Sequence, residues 1–242
     1  MGQLTDTVAI VTGGGGAIGR AISLGLAQEG ARVVACDLDL GKAQETASLI
    51  GPPAIAIQAD ISRSPDVDRL VEETVRQFGR LDILVNNAGI CPRTMAIDME
   101  ESEWDRVLDT NLKAVFLCSR AAARIMRGQG AGRIVNITSG RGVVGRVGAA
   151  HYAASKGGVN AFTRSLGMEW APFGIHVNAV APGVTDTPML HGGRTEEGLK
   201  ALREAPPDKR VGQPEDVVGP VLFLCGEASK TIYGQIVYMK TP

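Results

Sequence analysis

The chain has 242 residues, of which 44% are hydrophobic and 4% aromatic, with a formal net charge of −1. That balance offers no general attraction to nucleic acid or to anionic lipid, and so few rings leave little for bases to stack on. The length suits one α/β domain with a sizeable core.

Cys36, Cys91, Cys118 and Cys225 lie far apart, and His151, His176 and His191 show no ligand spacing. No metal site is therefore expected, and reduced thiols in a cytoplasmic protein are the simpler account. Nothing at the N-terminus reads as a secretory leader, and no membrane association is expected.

In chain order, short apolar runs alternate with segments of helical period. Strands are predicted at Val8–Thr12, Arg32–Cys36, Ala54–Ala59, Ile83–Asn86, Arg133–Thr138, His176–Ala181 and Gln235–Met239. Helices are predicted near Ile18–Glu29, Gly41–Ile50, Pro65–Phe78, Ser102–Arg127, Tyr152–Trp170 and Pro214–Gly226. Repeated strand–helix alternation, with strands apolar throughout rather than alternating, predicts a parallel sheet covered on both faces. Residues 1–242 read as a single doubly wound domain without a linker. The irregular stretch 188–210, rich in Gly, Pro and charge, reads as a substrate-loop insertion or as a plain surface loop.

The first strand runs into four consecutive glycines, Gly13–Gly16, before a helical pattern begins. Each glycine costs about 0.5–1 kcal/mol relative to alanine in regular structure, so the run needs a compensating role. At the carboxyl end of a strand in a doubly wound sheet, glycine lets a pyrophosphate approach the free N–H groups of the next helix. Gly14-x-Gly16-x-x-Gly19 fits the general dinucleotide fingerprint, although four glycines satisfy such a pattern easily, and a tight structural turn is the alternative. Asp37, about twenty residues on, stands where a carboxylate can bond both ribose hydroxyls of the adenosine half. It would oppose a 2′-phosphate by about 4 kcal/mol at about 4 Å, which favours NAD over NADP. Arg20 follows the glycine run, but no Lys or Arg lies inside it; Asp39 is the alternative cap for the second helix.

Tyr152 and Lys156 are four apart on a predicted helix and share a face. A free tyrosine ionises near pH 10, too high for a base at neutrality, and an adjacent ammonium, with a positive nicotinamide ring nearby, is expected to lower that value. Tyr152 could then take an alcohol proton or return it to a ketone.

Together these residues resemble the classical short-chain dehydrogenases/reductases, from about Thr7 to Met239. Thr12-Gly-x-x-x-Ala-x-Gly19 is similar to that family's cofactor loop, with Ala17 in place of the middle glycine. Asn86-Asn-Ala-Gly89 matches the motif closing strand four, and Asn111, Ser139, Tyr152 and Lys156 match the catalytic tetrad. The resemblance implies a Rossmann-type seven-stranded sheet of order 3-2-1-4-5-6-7 and a nicotinamide cofactor. It implies cofactor contacts from Gly13, Gly15, Gly16, Ala17, Ile18, Gly19, Asp37 and Leu38, and an adenine pocket at Asp60 and Ile61. Further contacts are implied from Asn87, Ala88, Gly89, Tyr152 and Lys156, and nicotinamide contacts from Pro182, Gly183, Thr185 and Thr187. In the family the lysine also bonds the nicotinamide ribose, the asparagine supports a proton-relaying water, and the serine, here Ser139, holds the substrate oxygen.

The implied activity is NAD-dependent oxidation of a small secondary alcohol or reduction of the ketone. The alternatives are a 3-oxoacyl carrier-protein reductase, which Asp37 argues against, and a sensor that binds NAD without turnover. Substrate contacts are expected from Ser139, Tyr152, Val184 and Met189, and from Arg93 or Arg141 if the substrate is anionic; Arg146 and His191 are further basic candidates. Apolar stripes through Val115, Phe116, Ala122, Val159, Phe162 and Leu166 suggest a homodimer or homotetramer, as relatives form. The ending Tyr238–Pro242 departs from the family's usual Val-Asp-Gly-Gly.

Overall fold

A computed structural model describes residues 2–192, 200 and 209–240. Strands β1 (Val8–Thr12), β2 (Arg32–Asp37), β3 (Ile55–Gln58), β4 (Ile83–Asn86), β5 (Gly132–Ile137), β6 (Ile175–Ala181) and β7 (Ile236–Tyr238) form one sheet in the order β3-β2-β1-β4-β5-β6-β7. All neighbouring pairs are parallel, for instance Ala9 opposite Val33 and Ile83. The expected architecture and order are borne out.

Among the described residues the α-helices with described bounds are α1 (Ala17–Gln28), α2 (Leu40–Ile50), α3 (Ser64–Phe78), α4 (Glu101–Leu108), α5 (Ala114–Gln129), α6 (Arg141–Val144), α7 (Ala150–Trp170), α8 (Pro188–His191) and α9 (Val218–Cys225). On one face Leu70 of α3, Met126 of α5 and Leu166 of α7 pack on Ile10, Leu84, Ile134 and Val177. On the other, Ile22 and Leu26 of α1 and Leu224 of α9 pack on Ala9, Val33, Ile83 and Val135. Successive strand residues thus enter opposite cores, which explains why the strands are apolar throughout.

One predicted helix differs. The Ser102–Arg127 pattern is interrupted by a π-helical turn, Asp109–Lys113, between α4 and α5. Asn111 lies within it: its Oδ1 accepts from Ile90 N at 2.8 Å, and its Nδ2 donates to Ile90 O at 2.9 Å. The widened turn lets one side chain satisfy both polar groups of a neighbouring residue, and such turns recur at functional sites.

The apolar stripe also needs correction. Val115, Ala122, Val159 and Leu166 are buried in the protein's own core, and of the residues named only Phe116 and Phe162 reach outward. Those two rings stack edge to face at 6.2 Å, with the Arg120 guanidinium over Phe116. Most of the 188–210 insertion lies outside the described residues; its start forms α8.

Candidate active site

The carboxyl ends of β1, β2, β4, β5 and β6 open into a cleft of about 1110 Å³. The glycine loop forms its floor. Gly13 has φ +63°, a left-handed conformation that L side chains rarely adopt, and its carbonyl turns in beneath α1. A Cβ on Gly19 would overlap that carbonyl and approach Asn87 Nδ2 at 2.7 Å. The loop is pinned to the end of β4, because Thr12 Oγ1 accepts from Asn87 N at 3.1 Å and Asn87 Nδ2 donates to Thr12 O at 3.0 Å. Asn87 therefore holds the loop as well as lining the cleft. Gly16 caps α1, leaving the first-turn N–H groups of a 12-residue helix facing the cleft. Ala17 takes the first helical position, where its methyl is accommodated.

Asp37 ends β2 and is tied to the loop: its Oδ2 accepts from Gly15 N at 3.0 Å and its Oδ1 from Asp39 N at 3.1 Å. Asp39 caps α2 by accepting from Lys42 N, leaving Asp37 at the cleft. Arg20 is turned away, bonded to Glu45 at 2.7 Å and to Thr46 at 3.1 Å. Asp60 and Ile61 line the same end, with Asp60 Oδ1 accepting from Ser62 Oγ at 2.6 Å. Leu38, Asn87, Ala88 and Gly89 complete this half. A left-handed glycine turn, a close approach that a methyl would fill, free helix N–H groups and a ribose-height carboxylate fit a dinucleotide.

The other half holds Ser139 after β5 and Tyr152 and Lys156 on α7. Lys156 is buried, and its Nζ donates to Ile137 O at 2.8 Å. Nζ stands 5.8 Å from the centroid of the Tyr152 ring. Pro182, Gly183, Val184, Thr185, Thr187 and Met189 line the facing wall.

Among the chain's own residues, burial works against the expected acidification of Tyr152. Burial pushes the phenol up to about 12, the nearby Cys91 adds to the rise, and a hydrogen bond with Ser139 and the charges of Arg146 and Arg141 pull it back only in part. Burial also brings the Lys156 ammonium down to about 8. A low-polarity wall disfavours both charged forms.

Three expected site residues stand apart. Asn111 is fully buried behind the cleft, where its Nδ2 also donates to Ser155 Oγ at 3.1 Å. Arg93 is exposed and does not line the cleft, whereas Arg141 and Arg146 do. His191 pairs with Asp186 at 2.6 Å instead of facing the cleft. Lys42, Arg106, Thr110 and Lys240 line the cleft without having been expected. Lys42 carries a sequence signal in hindsight, three residues after the Asp39 cap. Lys240 reaches the cleft only because β7 lies beside β6 and its side chain packs along Gly183.

Among the described residues no group of three His, Cys, Asp or Glu side chains could hold a metal ion, and no helix is long and apolar enough to cross a membrane.

An all-parallel doubly wound sheet with a glycine loop under its cleft and a Ser/Tyr/Lys wall opposite defines a nicotinamide-type oxidoreductase. Residues 7–198 match the profile of the short chain dehydrogenases, and the chain belongs to the short-chain dehydrogenase/reductase family. It is 42% identical over 240 residues to a 3-oxoacyl-[acyl-carrier-protein] reductase of Synechocystis sp., covering 97% of this chain and 96% of that one. It is 42% identical over 245 residues to the mouse (3R)-3-hydroxyacyl-CoA dehydrogenase, covering 96% and 94%. The crystal structure of a 3-ketoacyl-(acyl-carrier-protein) reductase from Brucella melitensis complexed with NADH superposes with a TM-score of 0.94 at 34% identity, covering 98% of each chain.

Proposed function

We propose that this oxidoreductase transfers hydride between NAD(H) and a secondary alcohol or ketone, with Tyr152 as the proton-handling group. The observation that carries the reading is the placement of Ser139, Tyr152 and Lys156 on one wall of a cleft whose other end is closed by Asp37 and the glycine loop. A bound nicotinamide dinucleotide would supply the hydride chemistry.

The chain's own residues divide the remaining work. Gly13 and Gly15–Gly19 would cradle the pyrophosphate, Asp37 and Leu38 the adenosine ribose, and Asp60 and Ile61 the adenine. Asn87–Gly89, Pro182, Gly183, Thr185 and Thr187 would border the nicotinamide half. Ser139 holds the substrate oxygen by its hydroxyl, and Tyr152 exchanges a proton with that oxygen. Burial keeps the phenol protonated, the form that ketone reduction requires. Asn111 keeps the Ile90 backbone in place. Asp37 favours NAD because its carboxylate would repel a 2′-phosphate while Arg20 is committed to Glu45.

A second reading, reduction of 3-oxoacyl thioesters, is favoured by the names of the relatives and by Arg141 and Arg146 at the cleft. Two cations beside the reacting wall suit a substrate with an anionic group. Nicotinamide absorbance followed with NAD(H) and NADP(H), across secondary alcohols, ketones and 3-oxoacyl thioesters, tests both. Turnover with none of them would leave a binding protein.

We also infer a homo-oligomer, with the exposed Phe116 on α5 and Met168 on α7 as apolar faces for a second copy. Sedimentation velocity tests this, and a monomer at micromolar concentration would refute it.

A further inference from the structure

The helix that carries Tyr152 starts without a conventional cap. Its N-cap residue is Ala149, which has no side-chain acceptor, and its first turn contains no acidic residue. The early N–H groups of a helix ordinarily find an Asp, Ser or Thr oxygen. Here the Tyr152 N–H donates instead to Nδ1 of His151, at 2.9 Å.

The other ring nitrogen of His151, Nε2, lies 3.2 Å from Glu103 Oε1 on α4. The ring has no exposed surface at all, and the Glu103 side chain is 24% exposed. An imidazole that accepts at Nδ1 must carry its proton on Nε2, and that proton then points at the Glu103 carboxylate. The opposite tautomer would set an N–H against the Tyr152 N–H and a lone pair against a carboxylate. A doubly protonated ring would also lose the acceptor at Nδ1. Only one of the three ring forms satisfies every partner.

We propose that His151, held in a single tautomer by Glu103, is a positioning residue that fixes the first turn of α7 and thereby the Tyr152 hydroxyl. The proposal rests on Tyr152 as the proton-handling group. Glu103 reaches across from α4, which runs into the π-turn holding Asn111, so one contact ties together the two segments behind the reacting wall. A displacement of the reacting group by about 1 Å can cost about a hundredfold in rate, so an anchor at the backbone of Tyr152 bears on turnover.

The test uses the full chain, NAD(H) and a ketone that the wild type reduces. His151→Leu removes the acceptor, whereas His151→Asn restores an oxygen beside the Tyr152 N–H. Glu103→Ala removes the proton's partner, whereas Glu103→Gln keeps a carbonyl oxygen there. We expect kcat to fall about tenfold or more in His151→Leu and Glu103→Ala, with KM for the cofactor changed less than about twofold, and most of kcat to return in the Asn and Gln variants. The imidazole 15N spectrum should show the wild-type ring protonated at Nε2 alone, and a mixture of tautomers in Glu103→Ala.

A kcat unchanged in both disruptive variants, or no difference between Asn and Leu at 151, would overturn the proposal. So would a wild-type ring protonated at Nδ1. If His151→Leu does not fold, the Glu103 pair and the spectrum decide. Absence of wild-type turnover on any substrate would sink the oxidoreductase reading alone, since the spectrum and thermal melts still report whether the ring is held.

Discussion

Lys156 Nζ donates to the carbonyl oxygen of Ile137 at 2.8 Å, so the ammonium is anchored to the end of β5 and stands 5.8 Å from the Tyr152 ring centroid. The cation is placed by the sheet, not by the tyrosine. Its burial has a thermodynamic consequence. Lys156 is held down to about 8 from its ordinary 10.5, so between those values the unfolded chain binds a proton that the folded chain does not. The contribution of Lys156 to stability should therefore rise with pH from about 8 to 10.5, against the opposite contribution above pH 9 of the Cys36, Cys118 and Cys225 thiols, which burial raises from 9.0. Tyr152 is pushed up to about 12 from 10, so above pH 10 the unfolded chain has released a proton that the folded chain keeps, and stability should fall. The difference in urea midpoint, wild type minus Lys156→Met, cancels the thiols common to both and should rise with pH from about 8 to 10.5.

Tyr152→Phe removes the one hydroxyl placed to exchange a proton with the substrate. Turnover should drop about 10²–10⁴-fold while NADH binding changes little. Fluorescence titration with NADH beside steady-state rates separates the two effects. A variant that keeps its rate would place the acid elsewhere.

Asp37→Ala acts twice. It deletes the acceptor of the Gly15 N–H and the charge that opposes a 2′-phosphate. The ratio of kcat/KM for NADP to that for NAD should rise at least about tenfold, with a loss of about 1 kcal/mol in stability. Paired kinetics with the two cofactors and a thermal melt read both.

Arg141→Ala and Arg146→Ala should weaken kcat/KM about tenfold for substrates bearing a carboxylate or phosphate and leave neutral ketones nearly untouched. Equal losses on a 3-oxo acid and its methyl ester would remove the case for an anionic substrate.

At the floor of the cleft, Gly19→Ala would drive a methyl into the Gly13 carbonyl and towards Asn87 Nδ2. The loop must shift, costing about 1–3 kcal/mol of stability, and NADH affinity should fall with it. Calorimetry on the purified variant reports both quantities.

The strand pattern was legible because each strand feeds two cores at once, as with Ile10 on one face and Ala9 on the other. Val8–Thr12 and Ile83–Asn86 are observed with the boundaries their apolar runs predict. The glycine run was legible because few other roles compensate its cost in order. The π-helical turn around Asn111 was not, since helical periodicity runs straight through it. The partner of the Asn111 side chain is the backbone of Ile90, 21 residues away in the chain.

By itself, then, the sequence determined the parallel sheet, because burial pattern is a local property, while the strand order and the residues that meet at the carboxyl ends of the strands were implied by the family resemblance that its motifs carry. Only the tertiary structure decided how those residues behave. Burial outweighs the Ser139 hydrogen bond and the Arg146 and Arg141 charges at the Tyr152 phenol, Arg20 is drawn off to Glu45, Arg93 is left outside the cleft, and His151 is locked between Tyr152 N and Glu103. Desolvation and hydrogen-bond partnership are set by side chains distant in the chain, and no local spacing encodes them.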